Sequence, residues 1–101
     1  MPKLNFNHNT TKNPKDVYSM IKKFFDNDSD IKRLDANIQC QLNDQDLSGK
    51  VKGSVISADF KVTPIETGSK LDISVDLPFI MTPLKGKVQE TIQKKLDKYL
   101  A

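Results

Sequence analysis

The sequence predicts an α+β fold, with an antiparallel sheet of about five strands carrying two helices on one face, in the order β-α-β-β-β-β-α. Three observations carry that expectation. Apolar and polar residues alternate over several stretches, the period of half-buried strands. Two other segments repeat their apolar residues at helical spacing. Each strand-like stretch keeps one polar side, so the sheet should pack on one face and meet water on the other, as antiparallel sheets do.

The first strand lies in KLNFNHN, where Leu4, Phe6 and His8 alternate with Asn5 and Asn7. A helix follows in TKNPKDVYSMIKKFFDND. Asn13 is a suitable N-cap, Pro14 fits the first helical position, and Asp16 falls in the first turn. Val17, Met20, Ile21, Phe24 and Phe25 form its apolar stripe, and it should stop near Asp26 to Asp28, where Asp, Asn and Ser favour turns. Next, Ala36, Ile38, Cys40 and Leu42 point inward against Asn37, Gln39, Gln41 and Asn43. NDQD (43–46) is a turn, and Leu47, Gly49, Val51, Gly53 and Val55 begin a new alternation. Its phase flips between Gly53 and Ser57, because Ala58, Phe60 and Val62 then alternate with Asp59, Lys61 and Thr63. A flip at a glycine marks a bulge or a turn, and two separate strands are the favoured reading. After the turn ETGS (66–69), Leu71, Ile73, Val75 and Leu77 face Asp72, Ser74 and Asp76 in the cleanest alternation of the chain.

The second helix is expected over residues 83–101, with Thr82 as N-cap and Pro83 in first position. Leu84, Val88, Ile92, Leu96 and Leu100 recur every four residues, and a helix of that length is about 28 Å long. Between strand and helix, Pro78 ends the pairing and Phe79, Ile80 and Met81 make a corner. Three apolar side chains cannot all face inward from so short a corner, so at least one should stay exposed.

At 101 residues, with 37% hydrophobic and 29% charged residues, the chain is expected to be a single folded domain, 1–101. No run approaches the roughly 18–20 apolar residues of a membrane span, and MPKLNFNHNT has no apolar core of a secretory signal. A single cysteine, Cys40, excludes an intramolecular disulfide and suits a reducing cytoplasm. The net charge of +3 is uneven. Residues 1–25 carry five lysines against Asp16 (+4), residues 26–46 six aspartates against Lys32 and Arg33 (−4), and residues 82–101 five lysines against Glu90 and Asp97 (+3). Lys87, Lys94 and Lys98 give the last helix a basic face.

Several chemistries fail on spacing. DNDSD (26–30) opens like a calcium loop, but the sixth and twelfth positions are Ile31 and Asn37 instead of Gly and an acid. His8 has no His or Cys within motif distance, and Cys40 sits between Ile38 and Leu42 as a small buried hydrophobe would. SGKVKGS (48–54) lacks the spacing of a phosphate loop. With one arginine and no aromatic residue among basic ones on the wet face, specific nucleic-acid binding is not expected. No catalytic residue, cofactor or metal is expected, so the reading is a non-enzymatic protein.

From Leu47 to Ala101 the chain resembles the small bacterial proteins of the polyhydroxyalkanoic acid (PHA) system family. The likeness lies in Gly49 and Gly53 within a strand region, then in VDLPFIMTPLKGKVQETIQKKLDK (75–98). There Leu77-Pro78-Phe79, Pro83, Leu84-Lys85-Gly86-Lys87 and Leu96-Asp97 punctuate a strand and an amphipathic helix. The resemblance implies a setting at bacterial carbon-storage granules and brings no active residues with it. A sheet holding a long C-terminal helix also resembles a reduced helix-grip fold, in which an apolar ligand lies between sheet and helix. Phe24, Phe25, Phe60, Phe79, Ile80 and Met81 could line such a pocket or simply fill it, and close packing in a small core favours filling. Two functions follow as expectations. The first is an accessory protein of the polyhydroxyalkanoate system that meets an apolar granule surface or a protein partner through Phe79, Ile80 and Met81. The alternative is a carrier of a small acyl or lipid-like ligand.

Overall fold

The computed structural model describes residues 3–100, with all their side chains except those of Asp30, Leu34 and Met81. Five strands are present: β1 (Lys3–Thr10), β2 (Gln39–Asn43), β3 (Ser48–Lys52), β4 (Ser57–Ile65) and β5 (Gly68–Asp76). They form one antiparallel sheet in the order β1-β5-β4-β3-β2. Strands β2 to β5 make a meander, and β1 lies beside β5. The helices are α1 (Pro14–Asn27), α2 (Ser29–Leu34) and α3 (Lys85–Tyr99), the last preceded by a 3-10 helix at Phe79–Leu84. The fold is α+β, as the alternation and the two helical stripes predict.

Register explains the core. Leu4 opposes Val75, which opposes Ala58; Phe6 opposes Ile73, which opposes Phe60. These rows face one way and are buried, together with Val17, Ile21, Phe24 and Phe25 from α1 and Val88, Ile92 and Leu96 from α3. The start of α1 follows the sequence closely, with the Asp16 backbone N–H donating to Asn13 Oδ1 at 2.9 Å and Pro14 first in the helix. β3 and β4 are separate strands, and the turn between them falls at the phase flip.

Four expectations need correction. The Asp-, Asn- and Ser-rich stretch that ends α1 is not simply a turn but leads into α2, whose start is capped by Asp28: the Ile31 N–H donates to Asp28 Oδ1 at 3.3 Å. The last helix begins at Lys85, not Pro83, and Thr82 does not cap it. Pro83 sits inside the 3-10 helix, whose tighter winding carries the chain round the corner. Leu84 is therefore exposed, at 46%. Leu42 and Val55, expected inward, are also exposed, because β2 is an edge strand and Val55 lies in the turn after β3. Leu47 likewise falls in a turn, with a φ of 51° that a leucine rarely adopts.

Candidate functional site

The chain between Leu77, fully buried, and Val88, buried again, offers the most unusual surface of the protein. None of the described side chains from Pro78 to Lys87 is buried. Phe79 is 72% exposed and Ile80 86%, with Leu84 beside them. Met81 belongs to the same corner, but its side chain lies outside the described residues. Single exposed apolar residues are ordinary; three within six positions are not.

The sheet register brings other residues to this end. Lys3, Asp76, Ser57, Lys52 and Gln39 form the terminal row, and the β3–β4 turn with exposed Val55 lies just beyond it. Lys3 pairs with Asp76 at 3.7 Å. Lys85 and Lys87 stand exposed in the first turn of α3, which has no acidic residue and no side-chain cap. Cations are out of place at the positive pole of a helix dipole, so this end is electropositive as well as apolar. Gly86 adds to the poor helix start and has open space where a Cβ would stand.

The remaining residues of the expected basic face are partly neutralised. Lys94 pairs with Glu90 at 2.8 Å, and Lys98 lies over the Tyr99 ring, 5.5 Å from its centroid. Each member of the exposed Lys94–Glu90 pair holds the other in its charged form, the lysine shifted up and the glutamate down. Lys87 remains at the corner end.

The other aromatic candidates fill the interior. Tyr18, Phe60, Phe25, Phe24 and Tyr99 form a chain of neighbouring rings with centroids 5.0–6.4 Å apart. Phe24, Phe25 and Phe60 are each at most 4% exposed. The space left between the sheet and the helices, among Phe25, Ile38, Val51, Val75, Val88 and Ile92, is about 10 Å³. That is room for about one water molecule and none for an acyl chain. Phe24 also forms part of an open groove of about 420 Å³ at the surface between α1 and the end of α3.

His8 is half-buried at the β1 edge, its Nε2 3.4 Å from the Leu100 carbonyl. The carboxylates of the wet face, such as Asp59, lie across the sheet from it. Cys40 is half-buried, and burial first, then the Asp26 carboxylate, pushes its thiol up to about 11 despite an opposing pull from Lys32. It therefore stays a thiol at neutral pH, whereas a nucleophilic cysteine needs thiolate. Among the described residues no three His, Cys, Asp or Glu side chains converge as a metal site would require.

Two buried aspartates escape a reading of the sequence. Asp28, besides capping α2, pairs with Lys95 at 3.2 Å and accepts from the Tyr99 hydroxyl at 3.4 Å. Asp35 is 4% exposed and accepts from the backbone N–H groups of Val55 (2.7 Å), Ile56 (3.0 Å) and Asn37 (3.1 Å). Burial alone would raise its pKa, but those backbone donors outweigh it and hold the carboxyl below 3.8. Gly53 makes the arrangement possible, since a Cβ there would overlap the Asp35 carboxylate. The glycine is the only signal of it in the sequence. Both aspartates have structural partners that account for them.

The profile of the family described as "Putative polyhydroxyalkanoic acid system protein" (PHA_gran_rgn) matches residues 6–100. The chain belongs to this family. The match extends the likeness seen after Leu47 to nearly the whole chain, including β1 and α1. Two solved structures resemble this PHA system protein in fold. TTHA0849 from Thermus thermophilus aligns with a TM-score of 0.60 at 12% identity, over 98% of this chain and 92% of its own. CV1439 from Chromobacterium violaceum aligns with a TM-score of 0.59 at 12% identity, over 99% and 96%. At that identity the likeness speaks for the fold alone. No curated protein sequence matches the chain. Among the described residues no helix is long and apolar enough to cross a membrane.

Proposed function

We propose that this PHA system protein is a non-enzymatic accessory protein that works in the cytoplasm and docks on the surface of polyester storage granules through its Phe79–Leu84 corner. The observation that carries the reading is the exposure of Phe79 and Ile80, 72% and 86%, beside Leu84 and flanked by Lys85 and Lys87. A polyester surface presents apolar chain and ester carbonyl oxygens together. Apolar side chains can bury in the first while lysine donors meet the second. Membership of the PHA system family supplies the biological setting, and the geometry supplies a means.

The docking is weak and reversible. Full burial of a large apolar side chain is worth about 1.5–3 kcal/mol, so Phe79 and Ile80 together contribute roughly 3–5 kcal/mol before any loss of motion. The carrier alternative has less in its favour: the space between the sheet and the helices is about 10 Å³, and the larger groove beside Phe24 and Tyr99 is open to solvent. Flotation with purified polyhydroxyalkanoate particles tests the reading. The wild-type chain should rise with the particles, and Ile80→Asp should lower the bound-to-free ratio roughly 30-fold or more, a loss of about 2 kcal/mol. Equal recovery with and without particles would end the proposal.

A further inference from the structure

We infer that the Phe79 corner also docks on lipid membranes with anionic headgroups, its lysines meeting phosphate while its apolar side chains enter the acyl layer. The inference rests on the same docking corner as the granule reading, but not on polyester being the partner. Charge is what prompts it, because a neutral ester surface leaves charge unused. An ester carbonyl needs only a donor, and an amide or a hydroxyl serves as well as an ammonium.

Lys52, Lys85 and Lys87 are exposed and make no ion pair among the described residues. Lys3 completes the rim, with its partner Asp76 at 3.7 Å. The other carboxylate near the corner, Asp35, is buried and turned inward onto the N–H groups of Val55, Ile56 and Asn37. Glu90, the first acid of α3, is held by Lys94. Asp44 and Asp46 follow β2, at the opposite end of the sheet from the row that holds Lys52. Lys85 and Lys87 also stand in the first turn of α3, where cations oppose the helix dipole. That placement weakens the helix by itself, and a negatively charged partner offsets the loss.

A lipid layer matches both halves of this surface. Phe79 and Ile80 are the most exposed large apolar side chains among the described residues, and Leu84 and Val55 are exposed at the same end. Apolar side chains ringed by lysines form the pattern that holds a protein at an anionic interface. Nucleic acid would satisfy the lysines and leave Phe79 and Ile80 in water. Among the described residues no helix is long and apolar enough to cross the membrane, so the contact is with its surface. Each lysine near an anionic surface strengthens binding about fivefold.

Co-sedimentation of the full-length chain with vesicles tests it. Vesicles of phosphatidylcholine alone are compared with vesicles containing about one quarter phosphatidylglycerol. The wild-type chain should bind the anionic vesicles at least about 30-fold more strongly than the neutral ones. The preference should collapse at about 1 M salt, where the Debye length is about 3 Å. Lys85→Gln with Lys87→Gln should weaken binding to the anionic vesicles roughly 30-fold. Thermal stability should hold or rise in that variant, because two cations leave the positive pole of α3. Ile80→Asp should lose the vesicles with every lysine in place. No binding to the anionic vesicles, equal binding to both kinds, or binding unchanged by the paired glutamines would each overturn the inference. So would binding retained by Ile80→Asp, which would mean attachment through charge alone. Polyester flotation is read separately: glutamine keeps a donor for ester carbonyls, so the paired variant should float as the wild type does. A chain that floats but ignores vesicles loses only the lipid inference, and one that binds vesicles but does not float loses only the granule reading.

Discussion

Asp35→Ala should be among the most destabilising single substitutions outside the apolar core. Asp35 follows α2, yet its carboxylate holds the turn between β3 and β4 by accepting from Val55 and Ile56, and it closes its own loop by accepting from Asn37. A hydrogen bond to a charged group contributes about 1.5–3 kcal/mol, and a buried donor left without a partner carries a penalty of about 1–3 kcal/mol. Three such bonds share one carboxylate and are not additive, and water can reach the Val55 end of the turn, since Val55 is 44% exposed. A loss of roughly 3–5 kcal/mol is the reasonable sum, against a total stability of about 5–15 kcal/mol. Near the midpoint that corresponds to a fall in Tm on the order of 20 °C. Asp35→Asn keeps one acceptor but turns an amide N–H₂ toward backbone donors, and should lose nearly as much. The pH dependence has a definite sign. Because the folded carboxyl titrates below its usual 3.8, the unfolded chain binds the proton more readily, and stability rises with pH across that window. The advantage of wild type over Asp35→Asn is complete above about pH 5 and shrinks as pH falls through the folded pKa. Urea unfolding of both chains at several pH values measures it. A loss below about 1 kcal/mol for Asp35→Ala at neutral pH, or a difference that does not shrink in acid, would refute the account of this turn.

Two further outcomes rest on single hydrogen bonds and burial. Tyr18 donates to Asp44 Oδ1 at 2.6 Å, tying the β2–β3 turn to α1; burial first and Asp44 second push its hydroxyl up to about 12. Tyr18→Phe should cost about 1–2 kcal/mol at neutral pH. In the wild type that stabilisation is present below about pH 10 and lost as pH rises toward 12, which thermal melts in alkaline buffer would follow. The Cys40 thiol, raised to about 11, should react with a thiol-specific reagent far more slowly in mildly alkaline buffer than in the urea-unfolded chain. Comparable rates would show that the strand edge opens freely.

Much of the architecture is legible because its periods are clean. Leu71, Ile73, Val75 and Leu77 are all buried, and the Asn13-Pro14 start of α1 obeys a local rule that needs no tertiary context. What the pattern cannot give depends on partners far apart in sequence. Asp28 reads as a turn former, and its contacts with Lys95, Tyr99 and the Ile31 N–H show why it is buried. Asp35 looks like any loop aspartate until the 53–56 turn is placed against it. Leu42 shares the alternation of a core strand, but strand order makes β2 an edge, and order is not written in a period of two. Thr82-Pro83 misleads about the last helix, because it is a good helix opening by local rules, whereas the corner winds more tightly first. The candidate site is half legible: the apolar corner stands out, but pattern alone does not decide between filling a pocket and facing solvent. Exposure of Phe79 and Ile80 decides it.

The central claim is that this corner, and not some other surface, meets the polyester. The chain contains no tryptophan, so Phe79→Trp introduces a single emitter at the proposed contact. Adding polyhydroxyalkanoate particles should shift its emission to the blue and shield it from iodide quenching, while a tryptophan at the wet-face position Thr63 should change little. Unchanged emission from position 79 in protein that nonetheless floats with the particles would contradict the account.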